Sequence, residues 1–318
     1  MVGKRLVKIK KMKSIGIIGM SEGNAHPYSW SSIINGKYNY QSIADAGYPA
    51  VSAYLKANED SLGINGYEVT HIYTQDKSLS KSIAESSGIR RIVEKPEDMI
   101  GEIDALILAR DDAQSHIGFV KPFMEAGIPV FIDKPLAISR EALNWFEQQH
   151  KKGRFFMSCS AMRFSSECKI LKQDISSLGN TELVIAVGKK DWLKYGVHMV
   201  EAVLATLDDA KVISVQNIGE KGKDIVKLNF ESGLTACICL YMDIYGTFQF
   251  QWYGSQAGRV ADIKNSYSMF RETILQFFRS MEEGQPRISF EKTYQVIETV
   301  IAAEESRLNG GVIVNLRK

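Results

Sequence analysis

The sequence predicts an α/β protein of two domains: a doubly wound parallel sheet, then an α+β domain with a large, mostly antiparallel open sheet. Three observations carry this. The chain has 318 residues, about twice the usual length of one domain. From Ser14 to Ser158 strand-like and helix-like segments alternate, and beyond residue 160 strand-like segments follow one another directly. The first rhythm belongs to parallel sheets covered on both faces, the second to antiparallel sheets.

Taken in order, Ser14–Gly19 is a short apolar run ending in glycine, and Tyr28–Ile34 and Tyr48–Ala57 have helical patterning. Tyr67–Thr74 is β-branched and aromatic, Leu79–Ser86 is helical, and Asp104–Ala109 is an apolar strand. An amphipathic helix over Ala113–Ala126, a buried strand over Pro129–Ile132, a helix over Ser139–His150 and a strand over Arg154–Ser158 complete the series. Right-handed crossovers then favour a doubly wound sheet. In the second half Glu182–Gly188 reads as a strand and Lys190–Leu207 as a helix. Strands over Lys211–Gln216, Asp224–Phe230, Leu234–Tyr241 and Thr247–Trp252 precede helices over Ser268–Glu282 and Phe290–Leu308 and an apolar Val312–Leu316. The open face of this sheet is expected to carry Leu240, Met242, Phe248 and Trp252 and, as exposed apolar patches do, to bind a further copy in a homodimer or homotetramer.

Composition excludes several classes. Hydrophobic residues at 45% and charged residues at 24% describe an ordinary globular chain. Lys+Arg 39 against Asp+Glu 37 leaves +2, without the basic face of a nucleic-acid binder. No apolar run reaches the ~18 residues that span a bilayer. Four cysteines are too few for a disulfide scaffold, which points to reduced thiols in the cytoplasm. Cys159, Cys168, Cys237 and Cys239 show no metal-ligand spacing, so no metal is expected; Cys237 and Cys239 share one strand face, where packing explains them better than ligation. Residues 1–13 form a basic tail whose lysines interrupt any apolar run, unlike a signal peptide.

The first strand runs into Gly19-Met20-Ser21-Glu22-Gly23-Asn24 and then a helix signalled by Pro27. A glycine turn between strand and helix lets amide groups and the helix dipole meet a pyrophosphate. Gly19, Met20, Ser21 and Gly23 are therefore cofactor candidates, although Ser21 and Asn24 stand where the G-x-G-x-x-G fingerprint has glycine. At the end of the second strand Asp76 suits a bare ribose, while Thr74 with Lys77 suits a 2′-phosphate; Asp76 is equally well placed to cap the next helix. The cofactor is thus NAD or NADP. Ala109 and Arg110, ending the strand Asp104–Ala109, border the same expected site.

Strand Pro129–Ile132 leads into Asp133-Lys134-Pro135, which sets a lysine at the C-terminal rim of a parallel strand, where such sheets bind ligands. Pro135 biases Lys134 toward an extended conformation. On the helix after residue 190, Asp191, Lys194, His198 and Glu201 fall on one face, opposite Leu193, Val197, Val200 and Leu204. His198, in an acid–lysine stripe and shortly after Gly196, is the candidate general base.

At these residues the chain resembles the glucose–fructose oxidoreductase and inositol dehydrogenase family, Gfo/Idh/MocA. Gly16-Ile-Ile-Gly19 matches its glycine turn in part, Asp133-Lys134-Pro135 with the following Leu-Ala resembles its Glu-Lys-Pro motif, and Gly196-Val-His198-Met-Val-Glu201 resembles its Gly-x-His-x-x-Asp segment. The likeness runs from Ser14 to Leu316, the Ala303–Ser306 helix pattern included. It implies a Rossmann domain over 14–137 and a substrate and oligomerisation domain over 138–318. His116 resembles a family position near the cofactor and Arg163 one that faces substrate; Trp192, Tyr195 and Glu201 are expected beside it. The family's active-site aspartate lies four residues before the histidine, where this chain has Lys194, so Asp191 or Lys194 takes that place.

The expected activity is hydride transfer between nicotinamide and a secondary alcohol or ketone of a sugar or cyclitol derivative. Lys134 would polarise the oxygen and His198 would take the proton. Two lysines in one pocket point to a phosphorylated or nucleotide-linked substrate. The competing expectations are a dinucleotide-binding regulator without turnover and a reductase of imines or bile-pigment-like molecules on the same fold.

Overall fold

The computed structural model describes residues 12–317, and the basic tail up to residue 11 lies outside them. The chain divides into two compact units, one ending at Ala109 and the other starting at Arg110.

The first unit holds β1 (Lys13–Ile18), α1 (His26–Asn35), α2 (Tyr40–Asp45), α3 (Pro49–Lys56), β2 (Tyr67–Tyr73), α4 (Lys77–Ser87), β3 (Arg91–Ile92) and β4 (Ala105–Leu108). β1 lies between β2 and β4, with β3 beyond β2, and all pairs are parallel. Ile15, Ile17 and Ile18 in β1 and Ala105–Leu108 in β4 are buried, as unbroken apolar runs are where helices cover both sheet faces. The short helices α2 and α3 fill the long interval between the first two strands. β3 has two residues, too few to leave a periodicity in the sequence.

The second unit opens with α5 (His116–Glu125), β5 (Val130–Ile132), α6 (Arg140–Lys151) and β6 (Phe156–Met157), with β5 and β6 parallel. Then come α7 (Ser166–Asp174), β7 (Thr181–Lys189), α8 (Trp192–Thr206), β8 (Val212–Asn217), β9 (Lys223–Phe230), β10 (Thr235–Tyr241), β11 (Phe248–Gly254) and β12 (Gly258–Asp262). α9 (Ser266–Glu283), α10 (Phe290–Leu308) and β13 (Val314–Asn315) close the chain. The strands form a seven-stranded sheet in the order β12-β11-β7-β10-β9-β8-β13. Its pairs are antiparallel except β7 with β10, which run parallel. That exception follows from α8, the first stretch of a long connection that leaves β7 and lets β10 return in the same direction.

One face of this sheet is sealed. Val184 and Ala186 of β7, Ala236, Ile238 and Leu240 of β10, and Phe250 and Trp252 of β11 are all buried. The other face shows half-buried Leu183, Ile185 and Val187 beside Cys237, Cys239 and Tyr241. This corrects the face expected from sequence. Leu240 shares the side of Ile238 and Trp252 that of Phe250, because side chains alternate along a strand; both belong to the sealed face. Phe248 is in phase with them, and Met242 lies past the end of β10. Cys237 and Cys239 do share a face, but it is the open one.

Candidate active site

In the first unit the turn after β1 is shaped by close contact. A Cβ at Gly19 would come within 2.5 Å of the Pro27 ring, so only glycine lets strand and helix approach this tightly. Gly23 has φ +73°, a left-handed conformation that favours glycine. Gln75, which the sequence did not flag, brackets Met20: its Nε2 donates to the Met20 carbonyl at 2.8 Å and its Oε1 accepts the Met20 amide at 3.1 Å. Ser21 is buried while Glu22 points to solvent, which keeps its charge out of the turn. α1 starts without a side-chain cap on Ala25 and without an acid in its first turn, while Asn24 Oδ1 accepts the His26 amide at 2.8 Å. The positive end of the helix dipole therefore faces the glycine turn. This cradle fits a dinucleotide pyrophosphate.

At the end of β2, Thr74 is buried and shares a hydrogen bond with Ser80 Oγ at 2.8 Å. Asp76 caps α4, its Oδ1 accepting from the Ser78 amide at 2.7 Å and the Ser78 hydroxyl at 2.6 Å. The Ser78 hydroxyl and amide bonds hold this carboxyl below its usual range. Lys77 pairs with Glu94 at the surface. Ala109 is buried, and its amide donates to the Ile18 carbonyl at 2.8 Å.

The second unit gathers the polar groups. Lys134, past the end of β5, is 5% exposed, and its amide donates to Asp133 Oδ1 at 2.8 Å. Its Nζ lies 3.5 Å from Asp111 Oδ2, and the Nζ of Lys194 lies 3.2 Å from the same oxygen. Lys134 Nζ also stands 5.1 Å over the Tyr195 ring, while Lys190 Nζ donates to the Tyr195 hydroxyl at 2.6 Å. His198 is 5.2 Å from Tyr195 ring to ring, and its Nδ1 shares a 2.7 Å hydrogen bond with Ser160 Oγ. Phe248 flanks both rings, which explains its place on the sealed face. Asp191 caps α8 by accepting the Lys194 amide at 3.0 Å, so the polar stripe begins one residue before the helix itself. Asp111, Asp112, Pro135, Ile138, Asp191 and Lys194 line a cleft of about 300 Å³.

Two devices hold this arrangement. His116 is fully buried, with Nε2 2.9 Å from the Arg110 carbonyl and Nδ1 3.2 Å from the Leu136 carbonyl. It thereby ties the segment carrying Asp111 to the segment carrying Lys134. Burial pushes its pKa down, against the opposing pull of the two carbonyls. Arg110 engages Asp112 through Nε at 2.9 Å and Nη2 at 2.7 Å. At the strand–helix turn, Lys190 takes φ +86°.

The structure separates other expected substrate contacts from this group. Arg163 and Glu201 pair with each other, and Arg163 Nη2 also reaches Asp209 at 2.6 Å. All three side chains are under a tenth exposed, so the polar stripe on α8 ends at His198. Burial raises the Glu201 carboxyl despite Arg163. Burial also works to lower Arg163, and the charges of Glu201 and Asp209 outweigh it, so its pKa rises. Trp192 is buried, donating from Nε1 to the Val300 carbonyl at 2.9 Å. The sequence does not single out Asp111, Ser160 or Lys190 for this group, and it points Phe248 to an open sheet face instead. Only Lys190, next to the stripe, carried a usable signal.

Among the described residues no group of three or more His, Cys, Asp or Glu could hold a metal ion, and no helix is long and apolar enough to cross a membrane. Residues 14–158 match the family model described as an oxidoreductase family with an NAD-binding Rossmann fold. No curated protein sequence matches the chain. Among solved structures, myo-inositol 2-dehydrogenase from Lactobacillus plantarum aligns with TM-score 0.76 at 13% identity, over 96% of this chain and 100% of its own. A myo-inositol dehydrogenase from Corynebacterium glutamicum gives 0.75 at 15%, over 96% and 99%. Scyllo-inositol dehydrogenase from Lactobacillus casei, solved with NAD(H) and scyllo-inositol, gives 0.74 at 14%, over 96% and 99%. At such identities the likeness is one of fold. Over residues 14–158 the chain is therefore similar to the Gfo/Idh/MocA oxidoreductase family, with its NAD-binding Rossmann fold.

Proposed function

We propose that the protein moves a hydride between NAD or NADP and a secondary alcohol or ketone of a sugar or cyclitol derivative. The observation that carries this is the convergence of Lys134 and His198 on Tyr195 within one unit, each held by its own partner, Asp111 and Ser160. Gly19 to Gly23 would hold the pyrophosphate of a nicotinamide cofactor, which would supply or accept the hydride. Lys134 donates a hydrogen bond to the reacting oxygen and stabilises the charge that develops there. His198, its ring fixed through Nδ1, takes the hydroxyl proton at Nε2. Asp191 sets the start of α8 and hence where Lys194 and His198 stand. Tyr195 and Phe248 form an apolar wall that excludes water from one side.

Lys190 and Lys194 favour a substrate carrying a phosphate or another anionic group near the reacting carbon. The half-buried face bearing Leu183, Ile185 and Val187 is the surface through which a homodimer or homotetramer would form. Free cysteines throughout fit the reducing cytoplasm.

The test is calorimetric titration with NAD(H) and NADP(H), followed by a panel of cyclitols, sugars and sugar phosphates monitored by nicotinamide absorbance. Binding of at least one dinucleotide and turnover of at least one polyol are expected. Failure to bind any of the four dinucleotide forms would overturn the proposal.

A further inference from the structure

We infer that Asp111 is the positioning residue of the lysine pair, its single carboxylate oxygen fixing where the ammonium groups of Lys134 and Lys194 stand. This rests on the role given to Lys134 above. A lysine ammonium is a point charge on a flexible four-carbon stem, so its place is set by what it binds. Here one oxygen, Asp111 Oδ2, meets Nζ of Lys134 at 3.5 Å and Nζ of Lys194 at 3.2 Å. The three residues come from three separate stretches of chain: the segment between β4 and α5, the segment after β5, and α8. Two like charges sharing one oxygen repel, and the carboxylate between them offsets that repulsion.

The other charged groups facing this spot are committed elsewhere. Asp112 takes Arg110, Asp133 accepts the Lys134 amide, Asp191 caps α8, and Lys190 donates to Tyr195. Asp111 is 8% exposed, and His116 clamps the carbonyl next to it against the Leu136 carbonyl. The carboxylate therefore stands at a fixed distance from the Lys134 backbone. In this chain an acid three residues past β4 does the holding, and Lys194 occupies the α8 position where the sequence resemblance leads one to expect an acid.

Site-by-site acetylation of the folded protein by limiting acetic anhydride, read by mass spectrometry, tests this without a substrate. In Asp111→Asn, Lys194 and Lys134 should label about fivefold faster relative to exposed Lys81, as expected when an ion pair worth about 1 kcal/mol is lost. Asp111→Glu should restore protection. General loosening of the fold would raise labelling at many lysines and would not be rescued by Glu. Unchanged labelling of both lysines in Asp111→Asn overturns the inference. Should that variant not fold, Asp111→Ser decides by the same readout: faster labelling of the two lysines supports the inference and unchanged labelling overturns it. Full turnover in Lys134→Ala would sink the functional reading alone, since the labelling result stands apart from activity.

Discussion

The second unit contains two clusters that mix acids and bases, both touching α8, and they are built in opposite ways. In one, a single carboxylate, Asp111, is shared by two lysines at 3.2 and 3.5 Å. In the other, a single guanidinium, Arg163, is shared by two carboxylates, with Asp209 at 2.6 Å. Arginine presents a rigid fork that matches carboxylates and locks with them, whereas lysine ammonium groups make longer, exchangeable contacts. The lysine cluster lines a cleft and Lys194 is 36% exposed; the arginine cluster is sealed, Glu201 being 2% exposed. Clusters of charge thus serve two ends. One cluster borders a cleft, and the other fastens α8 to the segment before α7.

If the contrast holds, rate should be lost at the open cluster. His198→Ala should lower turnover by about 10² to 10⁴, and Lys134→Ala by ~100-fold or more, with dinucleotide affinity measured by calorimetry unchanged. Near-normal turnover in both would break the comparison at its functional end.

Stability should be lost at the sealed cluster. Arg163→Met leaves the sealed Glu201 without its cation and Asp209 with Lys292 alone, at 2.8 Å, and should cost about 3–5 kcal/mol in urea unfolding. Lys194→Met, partly in solvent, should cost no more than ~1 kcal/mol. Instead it should raise KM for an anionic substrate with little change in kcat, because a ground-state contact is removed. Comparable stability losses in the two variants would show that both clusters are structural.

The smallest effect concerns the clamp between the two segments. Burial lowers the folded pKa of His116 below the unfolded value of about 6.5. As pH falls, the unfolded chain takes up the proton first. Its contribution is therefore complete above about pH 6.5 and is lost as pH falls toward the folded pKa. The unfolding free energy from urea titrations should drop between pH 7.5 and 5.5 by an amount on the order of 1 kcal/mol, and His116→Gln should flatten that slope. An equal slope in the variant would remove His116 from the account.

Much of the fold was legible because it depends on local pattern. β4 is an unbroken apolar run, β1 ends in one, and the helix over Phe290–Leu308 matches its expected bounds. Lys134 and His198 stand out in the sequence because each sits at a marked place, a strand end before proline and a helix face after glycine. Asp111 does not. Arg110-Asp111-Asp112 reads as a polar loop, and its partners lie far along the chain at Lys134 and Lys194. The pairing of Arg163 with Glu201 is hidden for the same reason, since nothing in their spacing announces it. The open face of the second sheet was misjudged by phase, a single-residue question that alternation alone does not answer when both faces carry apolar groups.

The turn between β7 and α8 has a further consequence. Lys190 adopts φ +86°, which glycine accepts easily and which costs a lysine about 1–3 kcal/mol. Its amide donates to the Tyr241 carbonyl at 3.0 Å, holding it there, and its ammonium reaches the Tyr195 hydroxyl. Glycine would relax this corner and take that ammonium away. Heat resistance and the polarity around Tyr195 are therefore coupled through one residue, and selection for a hardier variant would find its easiest gain where the site has most to lose.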